Sequence, residues 1–495
     1  MRIAFMGVNY CGQYDPVPPP HESLWLPFAP TLEEMYRNVG KTPDWPDVCV
    51  VVLAETHPLP LDMERSQCPT VGIVVDWETW SDAIFAHAAA LDFILSDQSG
   101  VDRLDPILPG KLRTFVPVAN FSQISPPEAV APLRDRPHDI TFIGRIFPPE
   151  IFADRNRALS WLVDQVDACD VRIMSGLDAA EFPRAMCASK IVFNHAASRV
   201  QAGVNARNFE GGACRAVMMG ESDNAGVTTF FGEDELLRYN VDTLPAAIRG
   251  VLDDLDAGQR LADRYAAKTT VPLMPRLMDA LHDLLATKPP PRTGRTPFDI
   301  LSGLCHGFGN WGSAARRPSP SLGMMVAVAE NVLGARSVDP ALLNLVGVCM
   351  AEVAVELARL GEAESSADIM AHPILAPERH WLRAAEMDEC FPVPLYNLGR
   401  YLIKRGQDSR ALRMLTRARS RIEQYGEDAM RLPSAFFPVW CVNATGLDRV
   451  LTGAYNGVPF QYPDVVSART RKASLLRWRI EEALGDLARR RGNTP

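Results

Sequence analysis

The residues best suited to chemistry lie in the segment 189–221. An apolar run in it ends in the polar pair Asn194 and His195, a loop with Gly203 follows, and a helical pattern begins near Asn205. Loop amides beside a helix N-terminus form a binding site for an anion such as a diphosphate, and asparagine is a favourable N-cap. The segment therefore predicts a phosphate site, although Asn194 and His195 fit the plain end of a strand equally well.

Glu210 adds a carboxylate to this predicted site. It lies about one and a half turns into the predicted helix, where it could accept hydrogen bonds from two vicinal hydroxyls, such as those of a ribose. A glutamate on a helix is more often a solvated surface residue, but its neighbours Asn205, Arg207 and Phe209 favour the binding role.

Short apolar runs separated by helical patterns must position these residues. Such alternation is typical of doubly wound parallel sheets whose strands are buried on both faces. The predicted strands are Arg2–Val8, Val48–Leu53, Val71–Val75, Phe93–Leu95 and Thr114–Val118, then Asp139–Gly144, Val171–Met174, Lys190–Asn194 and Ala216–Met219. The predicted helices between them are Thr31–Val39, Ser81–Ala90, Arg157–Val166, Ala179–Ala188, Ala206–Cys214, Leu244–Leu255 and Ala257–Leu285.

The fold class predicted from this pattern is α/β, with two tandem Rossmann-like domains followed by an all-α, helical-repeat-like domain. Open parallel sheets bind ligands outside the carboxyl ends of their strands, so the cleft between the two domains is the expected site. The predicted boundaries are 1–125 for the first domain, 126–287 for the second, 288–320 for a Pro/Gly-rich linker and 321–495 for the helical domain.

The helical domain contains a segment, Pro394–Ala418, that resembles a tetratricopeptide repeat. Gly399 would let two helices approach closely, and Ala411 and Ala418 recur at small-residue positions of the second helix. An ordinary helical bundle is the alternative. The predicted helices, including one in the linker, are Phe298–Gly309, Leu322–Leu333, Pro340–Leu360, Glu378–Cys390, Pro394–Arg405, Ser409–Tyr425 and Ala468–Arg489.

Composition excludes several functional classes. The chain has 495 residues, a net charge of −9 and 47% hydrophobic residues, so it can bury sizeable cores, and nucleic acid is not expected as its main partner. No apolar run approaches the ~18 residues of a membrane span, and the N-terminus does not resemble a signal peptide, which favours a cytoplasmic location. The ten cysteines include no Cys-x-x-Cys pair, so no zinc site is expected.

The motif Asn205-x-Arg207-x-Phe209-Glu210 resembles that of the spore-maturation CgeB-like glycosyltransferases, which are GT-B enzymes related to the large family-one group. The resemblance covers about residues 1–285. Further segments similar to the family's are 138–145, 231–239 and the acidic stretch around Asp76.

The resemblance implies a nucleotide-sugar donor, usually UDP-linked, bound by the second domain with no metal ion and no other cofactor. Gly144 would let the donor diphosphate approach, and Arg145 would neutralise its charge. The backbone amides from Gly203 to Asn205 would bind the phosphates, and Arg207 would add charge.

Other positions would hold the nucleoside. By the same resemblance, Ser175 and Gly176 would lie near the base and Glu210 would hold the ribose, while Asn194 completes the predicted donor-binding set. Ala202 stands where related retaining enzymes carry a glutamate, so the stereochemical outcome stays open.

An inverting transfer needs a base that deprotonates the attacking hydroxyl. Asp76 and the pair His21 and Glu22 are the preferred candidates, and Glu55 and His57 are further ones. All five are expected at the carboxyl ends of strands in the first domain, facing the cleft.

The predicted function is that of a metal-independent, hexosyl-transferring GT-B enzyme that acts on an acceptor hydroxyl. The helical domain could present a polypeptide acceptor, and a glycan or small-molecule acceptor is the alternative. A second hypothesis is a catalytically inactive GT-B-fold scaffold that acts through its helical domain. Ala202 and the glycine pair Gly211-Gly212 motivate it.

Overall fold

The computed structural model describes residues 1–7, 17–52, 54, 57–75, 77–116, 130–144, 146, 153–165, 169–178, 180–196, 202–204, 207–240, 242–270, 273–311, 320–335, 338–359, 373–426, 465–490 and 492. These residues form two parallel β-sheets with flanking helices and a helical C-terminal region. The α/β class with two Rossmann-like sheets is thereby confirmed. Residues 1–116 are called the first unit below, and residues 130–270 the second unit.

The first sheet contains six parallel strands in the order β2-β1-β3-β4-β5-β6. The strands are β1 (Arg2–Gly7), β2 (Glu22–Trp25), β3 (Val48–Val52), β4 (Thr70–Ile73), β5 (Phe93–Ser96) and β6 (Leu112–Thr114). The helices of this unit are α1 (Leu32–Arg37), α2 (Trp77–Ala88) and α3 (Gln98–Leu104). Four of the five predicted strands are present with bounds that differ by at most two residues. The predicted strand Thr114–Val118 shares only Thr114 with β6, and α2 begins earlier than predicted.

Strand β2 was not predicted, and its pairing places two candidate residues elsewhere than the sequence indicated. It pairs in parallel with β1, and Glu22 is the partner of Arg2, the first residue of β1. His21 and Glu22 therefore lie at the amino end of the sheet. Their predicted position at the carboxyl ends, facing the cleft, is wrong. The physical reason is that β2 is a short, half-exposed edge strand, which lacks the continuous apolar run that marks the buried strands.

The second sheet contains five parallel strands in the order β11-β10-β9-β7-β8. The strands are β7 (His138–Ile143), β8 (Val171–Met174), β9 (Ser189–Phe193), β10 (Val217–Glu221) and β11 (Leu237–Tyr239). The helices are α4 (Ala153–Gln165), α5 (Glu181–Cys187), α6 (Arg207–Ala213), α7 (Ala225–Phe230), α8 (Leu244–Asp253) and α9 (Leu255–Thr269). Only β11 and α7 lie outside the predicted pattern.

The predicted helix Ala257–Leu285 is two helices, α9 and α10 (Leu273–Leu285). Pro272 stands between them, and a proline there removes an N–H that a continuous helix needs. Helix α10 leaves the second unit and packs on the first sheet, where Leu277 and Leu281 share a core with Ile3 and Phe5. The chain therefore crosses back to the first unit before the helical region begins.

The glycine pair of α6 is explained by packing. A Cβ at Gly212 would lie 1.8 Å from Thr269 Oγ1 of α9, and one at Gly211 would lie 2.8 Å from Met218 Cε. The two glycines therefore bring α6 directly against α9 and β10, which places the start of α6 at the carboxyl edge of the sheet.

The helical region is fastened to the first unit. Arg292 contacts the buried Asp92 and Arg295 contacts Glu64, so the Pro-rich stretch predicted as a linker is held by two ion pairs. The helices that follow are α11 (Pro297–Trp311), α12 (Pro320–Gly334), α13 (Pro340–Arg359), α14 (Pro377–Met387), α15 (Val393–Lys404), α16 (Asp408–Tyr425) and α17 (Val465–Arg490).

Helices α15 and α16 approach closely at Gly399, as predicted. A Cβ there would lie 2.6 Å from Leu415 Cγ, and Ala411 and Ala418 are fully buried between the helices. This contact is the one that the repeat resemblance requires, but a bundle also makes such contacts, so the repeat stays a prediction.

One helix in the described part of the chain is long and apolar enough to cross a membrane. The stretch Pro340–Leu357 has a mean hydropathy of 1.6, so the expectation that no apolar run reaches this length is wrong. Since 83% of the stretch is buried inside the protein, it fits the core helix of the C-terminal region.

Candidate functional site

The carboxyl edge of the second sheet brings several predicted residues together. Strands β8 and β9 lie on opposite sides of β7, so the crevice between the carboxyl ends of β7 and β9 is the topological switch point where open sheets bind ligands. Gly144 follows β7 and Asn194 follows β9, which places both predicted residues at this crevice. Ser175 and Gly176 follow the neighbouring edge strand β8, and Gly176 adopts a positive φ of 71°.

Asn194 is fixed in place by hydrogen bonds. Its Nδ2 donates to Asn208 Oδ1 on α6 at 2.9 Å, and its carbonyl oxygen accepts from the Tyr239 hydroxyl at 2.9 Å. Asn194 and Asn208 are both buried. The network joins the end of β9 to α6 and β11, so the floor of the crevice is preorganised.

Arg207 and Glu210 form an ion pair in the first turn of α6. Arg207 Nη1 lies 2.7 Å from Glu210 Oε2, and the guanidinium also stacks 4.4 Å from the centre of the Phe182 ring. Burial raises the pKa of Glu210, which Arg207 opposes, and burial lowers the pKa of Arg207. A ribose at Glu210 would have to share the carboxylate with this guanidinium.

Glu221, which the sequence reasoning missed, is a second buried carboxylate at this edge. It ends β10, its Oε1 accepts from the Ala196 amide at 2.7 Å, and it lies 3.5 Å from His195 Nδ1. Burial raises the pKa of Glu221 to about 7. His195 Nδ1 also contacts the Tyr239 hydroxyl at 2.8 Å. A glutamate closing an otherwise apolar buried strand is the signal that could have identified this group.

Arg155 of α4 lies beside His195 and Glu221. Its Nε donates to the His195 carbonyl oxygen at 2.7 Å, and its guanidinium lies 5.5 Å from the centre of the Phe142 ring. Burial lowers the pKa of Arg155 to about 10, and the nearby Glu221 opposes this shift. A cation and a titratable acid are therefore held together beside the crevice.

The loop 202–204 faces the first unit. The amide of Gly203 donates to Glu78 Oε2 at 2.9 Å, and the amide of Val204 donates to Asp97 Oδ2 at 3.1 Å. Gly203 was predicted to offer its amide to a diphosphate, and here that amide binds a carboxylate from the other unit. Sequence reasoning missed Glu78 and Asp97, although Asp97 directly follows a buried strand.

The proposed bases of the first unit do not form a group in the described residues. His57 is 6% exposed and packs edge-on against Phe28, and burial lowers its pKa to about 4. His21 lies 3.3 Å from the Met1 amino group at the far edge of the sheet. Asp76 and Glu55, like the donor-site candidates Arg145 and Asn205, lie outside the residues that the structure describes.

A cavity of about 480 Å³ lies between the two units near β5 and β6. Its walls include Asp97 and Ser99 of the first unit, Val204 and Phe230 of the second, and Arg276 of α10. Asp97 and Val204 also belong to the contact made by the loop 202–204, so the cavity borders that contact.

Within the described ranges, no group of three or more His, Cys, Asp or Glu side chains could hold a metal ion.

Comparison with known proteins identifies one domain. Residues 128–271 match the family model described as "Glycosyl transferase-like". The match coincides with the second unit, which is therefore a glycosyltransferase-like domain. No curated protein matches the chain.

Several solved structures resemble part of the chain. They include TarM of S. aureus, with 10% identity over 48% of this chain and 55% of TarM and a TM-score of 0.35. Sucrose-phosphate synthase from Thermosynechococcus elongatus has 11% identity over 58% of this chain and 100% of its own, with a TM-score of 0.38. Anabaena HepE in complex with UDP and glucose has 9% identity over 57% and 100%, with a TM-score of 0.37. The chain spans about half of TarM, and at these scores the likenesses decide neither fold nor function.

Proposed function

We propose that this chain is a GT-B glycosyltransferase that moves a hexosyl group from a UDP-linked sugar to an acceptor hydroxyl. The observation that carries the proposal is the position of the glycosyltransferase-like domain. Residues 128–271 coincide with a Rossmann-like sheet whose switch-point crevice holds Gly144 and Asn194, and the loop 202–204 of the same unit contacts a second Rossmann-like unit.

The chain's own residues would divide the work of donor binding. Gly144 leaves room for the diphosphate after β7, Arg207 supplies positive charge, and Glu210 accepts hydrogen bonds from the ribose. The Asn194 network holds the crevice floor rigid, so that little ordering of the protein accompanies binding. Positive charge and backbone amides would stabilise the leaving diphosphate without a metal ion.

The acceptor belongs to the same proposal. The helical region from α12 onward offers packed helix pairs of the kind that bind polypeptides, which makes a protein acceptor our first choice. Its attachment to the first unit through Arg292 and Arg295 would present such an acceptor beside the unit that faces the donor domain.

Calorimetric titration with UDP, GDP and ADP tests donor binding. We expect one of the three nucleotides, UDP first, to bind the wild type, and Glu210→Ala to weaken that binding by roughly tenfold to a hundredfold because a charge-assisted contact is lost. Asp139→Asn is the matched control. It breaks the part-buried pair of Asp139 with Lys190 at the amino end of the same sheet, so it should leave nucleotide affinity unchanged.

The opposite result favours a different function. If no nucleotide binds the folded wild type, the transferase proposal fails. The alternative is then a GT-B-fold scaffold that acts through its helical region. One observation favours that alternative now, because the amides of Gly203 and Val204 are already bonded to Glu78 and Asp97.

A further inference from the structure

Three successive backbone N–H groups of the second unit converge on two carboxylates of the first. The Ala202 amide lies 3.1 Å from Glu78 Oε2, and the Gly203 amide lies 2.9 Å from the same oxygen. The Val204 amide lies 3.1 Å from Asp97 Oδ2. Adjacent amides that share one oxygen are the donor arrangement that binds an oxyanion.

The loop is also held through its carbonyl oxygens. Ser99 Oγ donates to the Ala202 carbonyl at 2.7 Å, and Asn224 Nδ2 donates to the Gly203 carbonyl at 3.2 Å. With both carbonyl groups engaged in this way, the amides of the loop stay directed at the first unit. The orientation of these three amide N–H groups is therefore fixed by the fold.

The two carboxylates differ in how firmly they are held. Asp97 is 6% exposed, caps α3 through the Gly100 amide at 2.7 Å and accepts from Trp77 Nε1 at 3.1 Å. Glu78 is half-buried and lies in the first turn of α2, where the helix N-terminus stabilises its charge. Glu78 is therefore the carboxylate better placed to leave the loop, because Asp97 is more deeply buried and is also held by the Gly100 amide and the Trp77 indole.

We propose that the amides of Ala202 and Gly203 are an oxyanion site that Glu78 fills from within the protein, so that a phosphate-type anion binds there by displacing Glu78. Carboxylate and phosphate oxygens accept the same amide hydrogen bonds, and two anions cannot share them. Where the anion is the donor diphosphate, the inference rests on the proposed function. Glu78 then lowers donor affinity and couples donor binding to loosening of the contact between the units.

Glu78→Gln tests the competition, with inorganic pyrophosphate and UDP as calorimetric probes. The isosteric change keeps the size of the side chain and removes the competing charge. We expect pyrophosphate to bind about tenfold more tightly than to the wild type, which corresponds to about 1.4 kcal/mol. Glu33→Gln is the control, because Glu33 also lies in the first turn of a helix but pairs with Arg37 away from the loop. That variant should bind pyrophosphate like the wild type.

A second variant separates competition from tethering. Ser99→Ala removes the hydrogen bond to the Ala202 carbonyl but leaves the Glu78 charge, so it should tighten pyrophosphate binding by less than about threefold. Equal tightening in both variants would show that Glu78 only tethers the loop, and unchanged or weaker binding in Glu78→Gln would also overturn the proposal. If pyrophosphate binds more tightly while no nucleotide binds, the oxyanion site stands and the transferase function fails.

Discussion

Each face of the second sheet buries one glutamate at the carboxyl edge, and the two glutamates differ in the groups that stabilise their carboxylates. On the side of α6 and α9, Glu210 lies 2.7 Å from the guanidinium of Arg207. On the side of α4 and α8, Glu221 accepts the Ala196 amide at 2.7 Å and lies 3.5 Å from His195. One carboxylate forms a direct ion pair with a guanidinium, whereas the other contacts a backbone amide and a histidine, with the charge of Arg155 nearby.

This difference separates a charged site from a titrating one. Burial raises the pKa of both glutamates, but Arg207 opposes the shift directly at Glu210, whereas Glu221 reaches a pKa of about 7. Glu221 can therefore bind or release a proton near neutral pH, whereas Glu210 is held in an ion pair with Arg207. The α6 face is suited to binding through fixed charge, and the α4 face is suited to binding or releasing a proton.

The largest effect is expected from removing the cation of the α6 face. Arg207→Met leaves the Glu210 carboxylate buried without its guanidinium, which should lower the free energy of unfolding by about 3–5 kcal/mol in urea denaturation. The double variant Arg207→Met, Glu210→Met should recover most of this loss, since no charge is then buried.

An exposed ion pair in the same unit is the control for that experiment. Arg134 contacts Asp256, and their side chains are 62% and 68% exposed, so Arg134→Met should cost less than about 1 kcal/mol. If Arg207→Met were no more destabilising than Arg134→Met, the contrast between a charged face and a titrating face would be lost.

The titrating face predicts a pH dependence. The folded-state pKa of Glu221, about 7, is above its unfolded value of 4.5, so the folded state holds its proton more tightly and the unfolding free energy falls as pH rises from about 4.5 to 7. This fall in the unfolding free energy is absent in Glu221→Gln, because glutamine does not ionise. Its stability relative to wild type should rise by about 2–3 kcal/mol between pH 5 and pH 8 in urea titrations.

The groups that face Glu221 are His195 of β9's end, Arg155 of α4, Tyr239 of β11 and Asp223 of the following turn. Glu235→Gln serves as the control of opposite sign. Although burial acts against it, the contact with Lys268 lowers the pKa of Glu235, so this variant should lose stability relative to wild type as pH rises. If the stability difference between Glu221→Gln and the wild type did not change with pH, Glu221 would ionise with the pKa of an ordinary glutamate.

Most of the fold was predictable because buried parallel strands carry continuous apolar runs. Strand β8 occupies the predicted residues Val171–Met174, β1 and β3 lie within the predicted runs, and β9 is shifted by one residue towards the N-terminus. Strand β2 was missed because an edge strand with half-exposed side chains carries no such run. The position of α10 on the first sheet could not be predicted, since a helix pattern does not specify which sheet its apolar face covers.

The site was predictable only where a chemical role follows from sequence neighbours. The sequence placed Gly144 and Asn194 at the ends of two predicted strands, and the sheet order brings those strands side by side. The contact of Glu78 with Gly203 joins residues 125 positions apart, and the pairing of His195 with Tyr239 joins strands that are not neighbours in the chain. Such contacts depend on how the units and strands pack, which no local pattern encodes.

The smallest effect is expected from two tyrosines that bond the carboxyl edge from opposite faces. The Tyr239 hydroxyl donates to the Asn194 carbonyl at 2.9 Å and contacts His195 Nδ1 at 2.8 Å, whereas the Tyr265 hydroxyl donates to the Asn208 carbonyl. Because it breaks two contacts, Tyr239→Phe should lower the unfolding free energy by about 2 kcal/mol, against about 1 kcal/mol for Tyr265→Phe.

Binding measurements extend the same comparison to function. Tyr239→Phe loosens Asn194 at the crevice, so it should also weaken nucleotide binding several-fold, because ordering the floor would then accompany binding. Tyr265→Phe should leave that affinity within about twofold, since Asn208 keeps its side-chain bond to Asn194 at 2.9 Å. Equal losses of stability and affinity in the two variants would show that the faces contribute alike, and that the Tyr239–His195 contact has no separate role in holding the crevice.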